Sequence, residues 1–490
     1  RIGTLKAGFK YATQFRNGDN LSANLNYNMK SEVRDGRSNT WYRQNAALAL
    51  HYDHADKFVA DVVIAANGSS RSYPAKWALS PTLGIGWIYA NNPEKGLYGK
   101  LRASAGVQHT DYVPAAGLWL DRWDGSHGAF YYGNNFAESW GAFITQFPTK
   151  NFRQEAAYRA NLGTDIRIAG CLDIIAEAFY QQRRNILVSA SSLNSSVVGL
   201  QSAYDDKGVV ASYGAELGLR FAKTFDNGLN FNAAGMATYA RNEIIEWIEN
   251  PAYPNLSVIG TPADAARGLV ALGFFESQED IDNSPLQQFG QVKVGDIKYK
   301  DLDGDGLINQ NDKAPIGFPN YAQYHFNVKM HVAYKGFDLR LLFTGSANGS
   351  YYLNSGYTMP FFKNAGNAWL WQYEGRWTPE KYAAGEKITY PRATYSPTTA
   401  HNNYLQSDYW MVSTNHFKLK NIELGYTFNV KKGILSQLQV QSLRAFMTAN
   451  NVYTFKNALT PYGIDPETTD GSAYVYPLTR VVTFGLNLRF

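Results

Sequence analysis

Hydrophobic and polar residues alternate with a period of two along most of this chain. Near the C-terminus Leu478, Val482, Phe484, Leu486, Leu488 and Phe490 fall on one side, and Thr479, Thr483, Gly485, Asn487 and Arg489 on the other. Ile422, Leu424, Tyr426 and Phe428 oppose Asn421, Glu423, Gly425 and Thr427 in the same way. Tyr213, Ala215, Leu217, Leu219 and Phe221 oppose Gly214, Glu216, Gly218 and Arg220. Two further segments pattern Phe326, Val328, Met330, Val332 and Tyr334, then Phe337, Leu339, Leu341 and Phe343, against polar neighbours. Successive side chains of a strand point to opposite faces, so each segment predicts a strand with one apolar and one polar face. The pattern predicts about fifteen strands, near 2–15, 20–32, 41–53, 57–67, 78–90, 97–108, 152–168, 171–186, 208–224, 228–243, 324–335, 337–346, 415–428, 440–455 and 478–490.

A two-sheet sandwich also alternates, so the connections decide the class. Arg16-Asn17-Gly18-Asp19, Ala169-Gly170, Phe225-Asp226-Asn227-Gly228 and Lys335-Gly336 are short and carry the residues of tight hairpins. The intervening connections are long, over 109–152, 243–323 and 346–414. Short turns at one rim and long loops at the other characterise outer-membrane barrels. The predicted fold is all-β, a transmembrane antiparallel β-barrel with long extracellular loops and short periplasmic turns. A sandwich would instead bury Phe484, Leu486 and Leu488 between sheets. Bacterial single-chain barrels have an even strand count, and an open sheet edge is untenable in lipid. An odd number of further strands is therefore expected upstream. The chain opens at Arg1 with no Met and no signal peptide, so 1–490 is expected to be the C-terminal portion of a barrel.

Composition fits that picture. No apolar run in the 490 residues approaches the about 18 that a membrane-spanning helix needs. Aromatic residues make up 15% and charged residues only 18%, against roughly 25% charged in an ordinary soluble domain. A lipid-facing surface with aromatic girdles accounts for both. The net charge of +5 is evenly spread and gives no argument for nucleic acid. The single cysteine, Cys171, excludes an internal disulfide and a cysteine-based zinc site. Glu216, Arg220, Arg159, Asp165, Arg167, Lys329, His331 and Arg340 fall on the polar faces, where a wide lumen must be wettable. The sequence holds no G-x-S-x-G, P-loop, H-E-x-x-H or G-x-G-x-x-G, and no enzyme is expected.

The sharpest local signal is 301–312. Asp301, Asp303, Asp305, Asn309 and Asp312 occupy positions 1, 3, 5, 9 and 12 of a calcium loop, with Gly306 at position 6 and the Leu307 carbonyl at 7. Position 12 is Asp rather than Glu and the preceding 295–300 reads as a strand, so an isolated loop fits better than an EF-hand. Ca²⁺ there would stiffen the long loop; the alternative is an Asp/Gly turn that binds nothing. Aromatic residues also cluster in the long loops. Trp119, Trp123, Tyr131, Tyr132, Trp369, Trp371 and Trp377 are candidate contacts for a ligand or partner, because aromatic faces stack on sugars or accept peptide side chains. Loop packing and the interfacial girdle compete for the same residues.

Several spaced motifs carry a family resemblance. Gly295-Asp296-Ile297-Lys298-Tyr299-Lys300-Asp301 with Leu302-Asp303-Gly304-Asp305-Gly306 resembles the SusC-like family of TonB-dependent transporters. So do Phe417–Thr427, Ala449–Phe455, Gly463-Ile464-Asp465-Pro466-Glu467 and the Thr483–Phe490 end, with a weaker match upstream at Leu79–Trp87. The resemblance implies a barrel of about 22 strands, which leaves about seven outside this chain. It also implies an N-terminal plug, a TonB-interacting segment, and a SusD-type surface lipoprotein as a lid. The cargo implied is an oligosaccharide or peptide too large for a porin, imported across the outer membrane of a Gram-negative bacterium. A surface binding or adhesion barrel without transport is the alternative.

Overall fold

The computed structural model describes residues 2–33, 40–55, 57–72, 75–113, 118, 122–125, 129–149, 152–190, 192, 197, 203–362, 367–394, 401–428, 440–455, 457–468, 476 and 478–489. Fifteen strands form one antiparallel sheet in which every strand pairs with its neighbours in sequence. They are β1 Ile2–Gln14, β2 Asn20–Val33, β3 Thr40–His54, β4 Phe58–Ser69, β5 Trp77–Asn92, β6 Leu97–Thr110, β7 Glu155–Ile168 and β8 Leu172–Ser189. The rest are β9 Tyr204–Thr224, β10 Asn230–Glu246, β11 Tyr324–Tyr334, β12 Phe337–Ala347, β13 His416–Phe428, β14 Ser442–Thr454 and β15 Val481–Arg489. All fifteen predicted strands are present; the largest boundary difference is the start of β9, four residues earlier than predicted, and one end each of β7, β8, β10 and β15 differs by three. Among the described residues, β1 and β15 each pair on one side only.

The turns show why the register holds. Lys335 and Gly336 join β11 to β12 with φ of 48° and 89°, the doubly left-handed turn whose twist matches the flanking strands. Ala169 and Gly170 repeat it between β7 and β8 at 50° and 65°. Cross-strand pairing then sorts the faces. Phe484 is 77% exposed and Leu486 69%, so the apolar face of β15 covers no second sheet. That removes the sandwich and leaves a surface made for lipid. Aromatic rings band this face near both rims. Phe343 stacks on Phe417 at 5.4 Å and 6°, and Phe417 on Phe455 at 5.3 Å, toward the long loops. Phe337 meets Tyr426 at 4.5 Å beside the short turns.

The polar face has its own order. Near the short turns its charges pair across strands: Arg102 with Asp165 and Glu177, Arg167 with Asp173, and Arg444 with Asp338 and Glu423. Toward the long loops ion pairs continue, Arg43 with Asp111 and Arg183 with Glu155, and amides and hydroxyls join them. Asn45 donates to Asn67 at 2.6 Å and Asn67 to Ser80 at 2.7 Å, a polar ladder across β3, β4 and β5.

Candidate functional site

Above the wall, segments of three long connections fold into a cap with a hydrophobic core of its own. Leu269, Ile297, Tyr299 and Ile308 from the β10–β11 connection meet Tyr351, Leu353, Tyr357, Tyr390 and Trp410 from the β12–β13 connection. Leu459 and Ile464 from the β14–β15 connection close it. Backbone groups that deep need partners. Ile297–Tyr299 pairs with Ala271–Phe274, and Ser350–Tyr352 with Met411–Ser413.

The 295–301 motif lies at the centre of this cap. Gly295 has φ of 87°, and a Cβ there would stand 2.5 Å from the Trp377 ring. Asp296 is fully buried and accepts hydrogen bonds from Arg392, from the Asn403 side chain at 2.8 Å and from the Lys293 amide at 2.8 Å. Asn403 in turn accepts from the Ile297 amide at 2.9 Å. Gln287 accepts from the Tyr299 amide at 2.7 Å and donates to Asn402 at 2.6 Å. The motif thus acts as a clasp between the two longest loops. Nothing in the sequence reading pointed to Asn402 and Asn403, because their partners lie more than a hundred positions away.

The acidic loop follows directly. Carboxylate oxygens of Asp301, Asp303 and Asp305 lie within 4.8 Å of one another. Ca²⁺ binds oxygens at 2.3–2.6 Å, so ligands on opposite sides of an ion stand at about that separation. Asp301 is braced by the Gly304 and Gly306 amides at 2.6 and 2.9 Å, and Asp305 accepts from the Leu307 amide at 2.7 Å. One oxygen of Asp303 is buried without a hydrogen-bond partner. Burial, together with the charges of Asp305, Asp312 and Asp301, raises the Asp303 carboxyl above its ordinary value despite a hydrogen bond from the Asp305 amide. The Asp303 charge in turn raises the neighbouring Tyr253 phenol. Leu307–Ile308 pairs in parallel with Leu286–Gln287, and the Leu286 and Gln288 amides donate to the Gly306 and Ile308 carbonyls, so the Leu307 carbonyl alternates to the other side. The other two residues are engaged locally. Asn309 accepts from the Asn311 amide at 2.8 Å, and buried Asp312 accepts from the Leu302 and Asn309 amides at 2.8 and 2.7 Å. The donor set is all oxygen, which suits a hard cation.

The aromatic candidates separate by environment. Trp377 is only 7% exposed beside Gly295, and Trp371 meets Tyr390 and Tyr462 edge-on at 5.7 and 4.8 Å. Both rings pack the cap. Trp369 stacks on Tyr357 at 5.7 Å and keeps its outer face exposed. Trp123 is 61% exposed and Tyr131 is similar, on a ribbon in which 122–124 pairs with 143–146 and 129–132 with 137–140. Trp119, the Tyr132 side chain and Phe490 lie outside the described residues.

A sheet with one lipid-suited face, one wettable face, short turns below and a packed cap above defines an outer-membrane β-barrel wall. No family model matches the chain. It is 24% identical over 482 residues to the TonB-dependent receptor P26 of Formosa agariphila, covering 90% of this chain and 45% of that protein. TonB-dependent receptor P3 of the same organism is 22% identical over 477 residues, with the same coverage. The chain therefore spans about half the length of the curated relatives it matches. Among solved structures it superposes on the RagAB peptide transporter with a TM-score of 0.72 at 14% identity, covering 99% of this chain and 55% of that one. The RagAB peptide importer in its open-open state gives 0.73, also at 14% identity. The resemblance to TonB-dependent transporters read from the motifs is thus matched by sequence relatives and by fold. These are receptors and transporters of the outer membrane and not enzymes.

Proposed function

We propose that this chain supplies most of the wall and much of the outer face of a TonB-dependent importer of large nutrients. The observation that carries this reading is the pairing of a wettable inner face with a cap built over its long-loop rim. A surface anchor needs no continuous polar path behind its loops, whereas a transporter does. The free sides of β1 and β15 are where further strands would complete the barrel, since unpaired backbone is untenable in lipid. Residues outside this chain would supply those strands, the plug and the TonB contact.

The cargo is an oligosaccharide or a peptide, and a SusD-type lipoprotein covers the cap. The amide and hydroxyl ladder of Asn45, Asn67 and Ser80 offers donors and acceptors to either cargo. The name of the RagAB peptide transporter supports a peptide, at the level of a fold relative only. Trp123, Tyr131 and Trp369 are the exposed aromatic faces placed to meet cargo or lid. Ca²⁺ is held by Asp301, Asp303 and Asp305 with the Leu307 carbonyl, while Asn309 and Asp312 set the loop, and its role is to stiffen the cap.

The test is growth of a strain lacking the gene on oligosaccharide pools or on peptides as sole carbon source. Loss of growth on one pool, restored by the full-length protein and not by a form unable to engage TonB, is expected. Unchanged growth on both pools with lost attachment to surfaces would replace import by the adhesion reading.

A further inference from the structure

Directly beneath the cap, the polar face of β10–β13 carries two rows of side chains that hydrogen-bond in both directions. Thr238, His325, Ser346 and His416 stand in register across the four strands. One row nearer the short turns, Asn327, Thr344 and Lys418 pair in the same way. Glu467 of the β14–β15 connection and Tyr321 at the end of the β10–β11 connection border the recess so formed, which measures about 440 Å³. Small-molecule sites span about 300–1,000 Å³.

The charges here are already spent. Glu467 is engaged by Lys418 at 3.3 Å and by Lys420, and buried Lys418 also holds Asp465 at 2.7 Å. The neutral groups are not spent. The Thr414 carbonyl can only accept, so the His416 Nδ1 beside it at 3.0 Å carries the proton and Nε2 is left for another contact. The Ser346 hydroxyl lies 3.2 Å from that same Nδ1 and keeps its own proton to donate. His325 has no partner among the described residues. The Thr344 Oγ1 is buried without a hydrogen-bond partner. A wettable wall accounts for polar side chains, but not for a hydroxyl sealed into it and left unmet.

We infer that this recess is a cargo subsite that reads the hydroxyls of an uncharged sugar residue, resting on the import function proposed above. A sugar hydroxyl donates and accepts at once, and so do the groups that await it: the Thr344 and Ser346 hydroxyls, the Asn327 amide and the two imidazoles. Tyr321, 72% exposed at the mouth, offers a ring face to the apolar side of the sugar. A peptide bound through its backbone needs an open strand edge, and β11 and β12 pair on both sides along these rows. An acidic sugar needs a free cation, and Lys418 and Lys420 are committed to Glu467 and Asp465.

The test uses a strain lacking the gene and carrying the full-length protein or a variant. It is grown on neutral oligosaccharides, on uronic-acid oligosaccharides and on peptides, each pool as sole carbon source. The parent should restore growth on the neutral pool. Thr344→Val keeps the shape and removes a hydroxyl that the wall does not use, so it should assemble normally. Combined with Ser346→Ala, it should raise several-fold the neutral-pool concentration that gives half-maximal growth, at parental amounts of heat-modifiable protein. Thr344→Ser, which retains the hydroxyl, should keep the parental value. Parental growth of the double variant on the neutral pool overturns the site and leaves import standing. Growth restored by the parent only on the acidic or the peptide pool overturns the neutral sugar. A parent that restores growth on no pool removes import, and this subsite with it.

Discussion

Asp296 and Asn403 meet at 2.8 Å across 107 positions of sequence, and both are fully buried. This hydrogen bond is one of those that tie the β10–β11 connection to the β12–β13 connection at the heart of the cap. Asn403→Ala would leave both Asp296 and the Ile297 amide short of a partner. An unsatisfied buried group costs about 1–3 kcal/mol. Hydrogen exchange over 269–308 and 401–410 should rise in this variant while the wall strands stay protected. Equal protection in both regions would show that the clasp is dispensable.

The acidic loop gives a metal-dependent outcome. With Ca²⁺ present, Asp303→Ala combined with Asp305→Ala should lower the protease resistance of the loop. After chelation the variant and the parent should digest alike. An identical pattern with and without Ca²⁺ in the parent would leave an empty turn.

Lys418 is buried and pairs with Asp465 at 2.7 Å and Glu467 at 3.3 Å, and Lys420 also reaches Glu467. Burial alone would raise the Glu467 carboxyl, but the Lys420 hydrogen bond and the charges of Lys418 and Lys420 outweigh it and hold it below its ordinary 4.5. A depressed carboxyl stabilises the fold above its unfolded value and loses that contribution as pH falls through the folded one. The 457–468 segment should therefore loosen below about pH 4 and stay firm from pH 5 upward. Lys418→Met should destabilise it by about 3 kcal/mol at neutral pH, because it strands buried charge. Proteolysis of the segment across pH reads both effects.

On β15, Leu486→Arg puts a charge on the lipid face and should cost about 2–4 kcal/mol near mid-membrane. Thr483→Arg turns the same charge to the lumen and should be tolerated. The amount of heat-modifiable protein in the outer membrane reports assembly. Equal loss in both variants would contradict the assignment of faces.

The wall was legible because its signal is local: lipid and lumen alternate at every residue, and Phe484 or Leu217 declares its side without reference to anything distant. Where the ladder breaks, legibility falls. The register shift opposite Leu342 and Phe343 makes Lys420 an extra residue in β13 relative to β12, which the alternation read from Ile422 onward did not reveal. The cap was hidden for a different reason. Trp377 and Trp123 are alike in sequence, yet one is buried and the other bare, because burial depends on contacts such as Asp296–Asn403 that span whole loops. The acidic loop was visible as a spacing, but the engagement of Asp312 with two backbone amides was not.

The strictly sequential strand order has a consequence for biogenesis. Each hairpin of the wall can pair as soon as its two strands exist, so the wall has a low entropic cost of closure at every step. The cap has no such route. Asp296 precedes β11 and Asn403 follows β12, so their meeting waits until the intervening hairpin has been placed. A stalled intermediate would therefore carry a finished lower rim beneath open loops, with the cap's Tyr and Trp side chains presented to the cell exterior until β13 arrives.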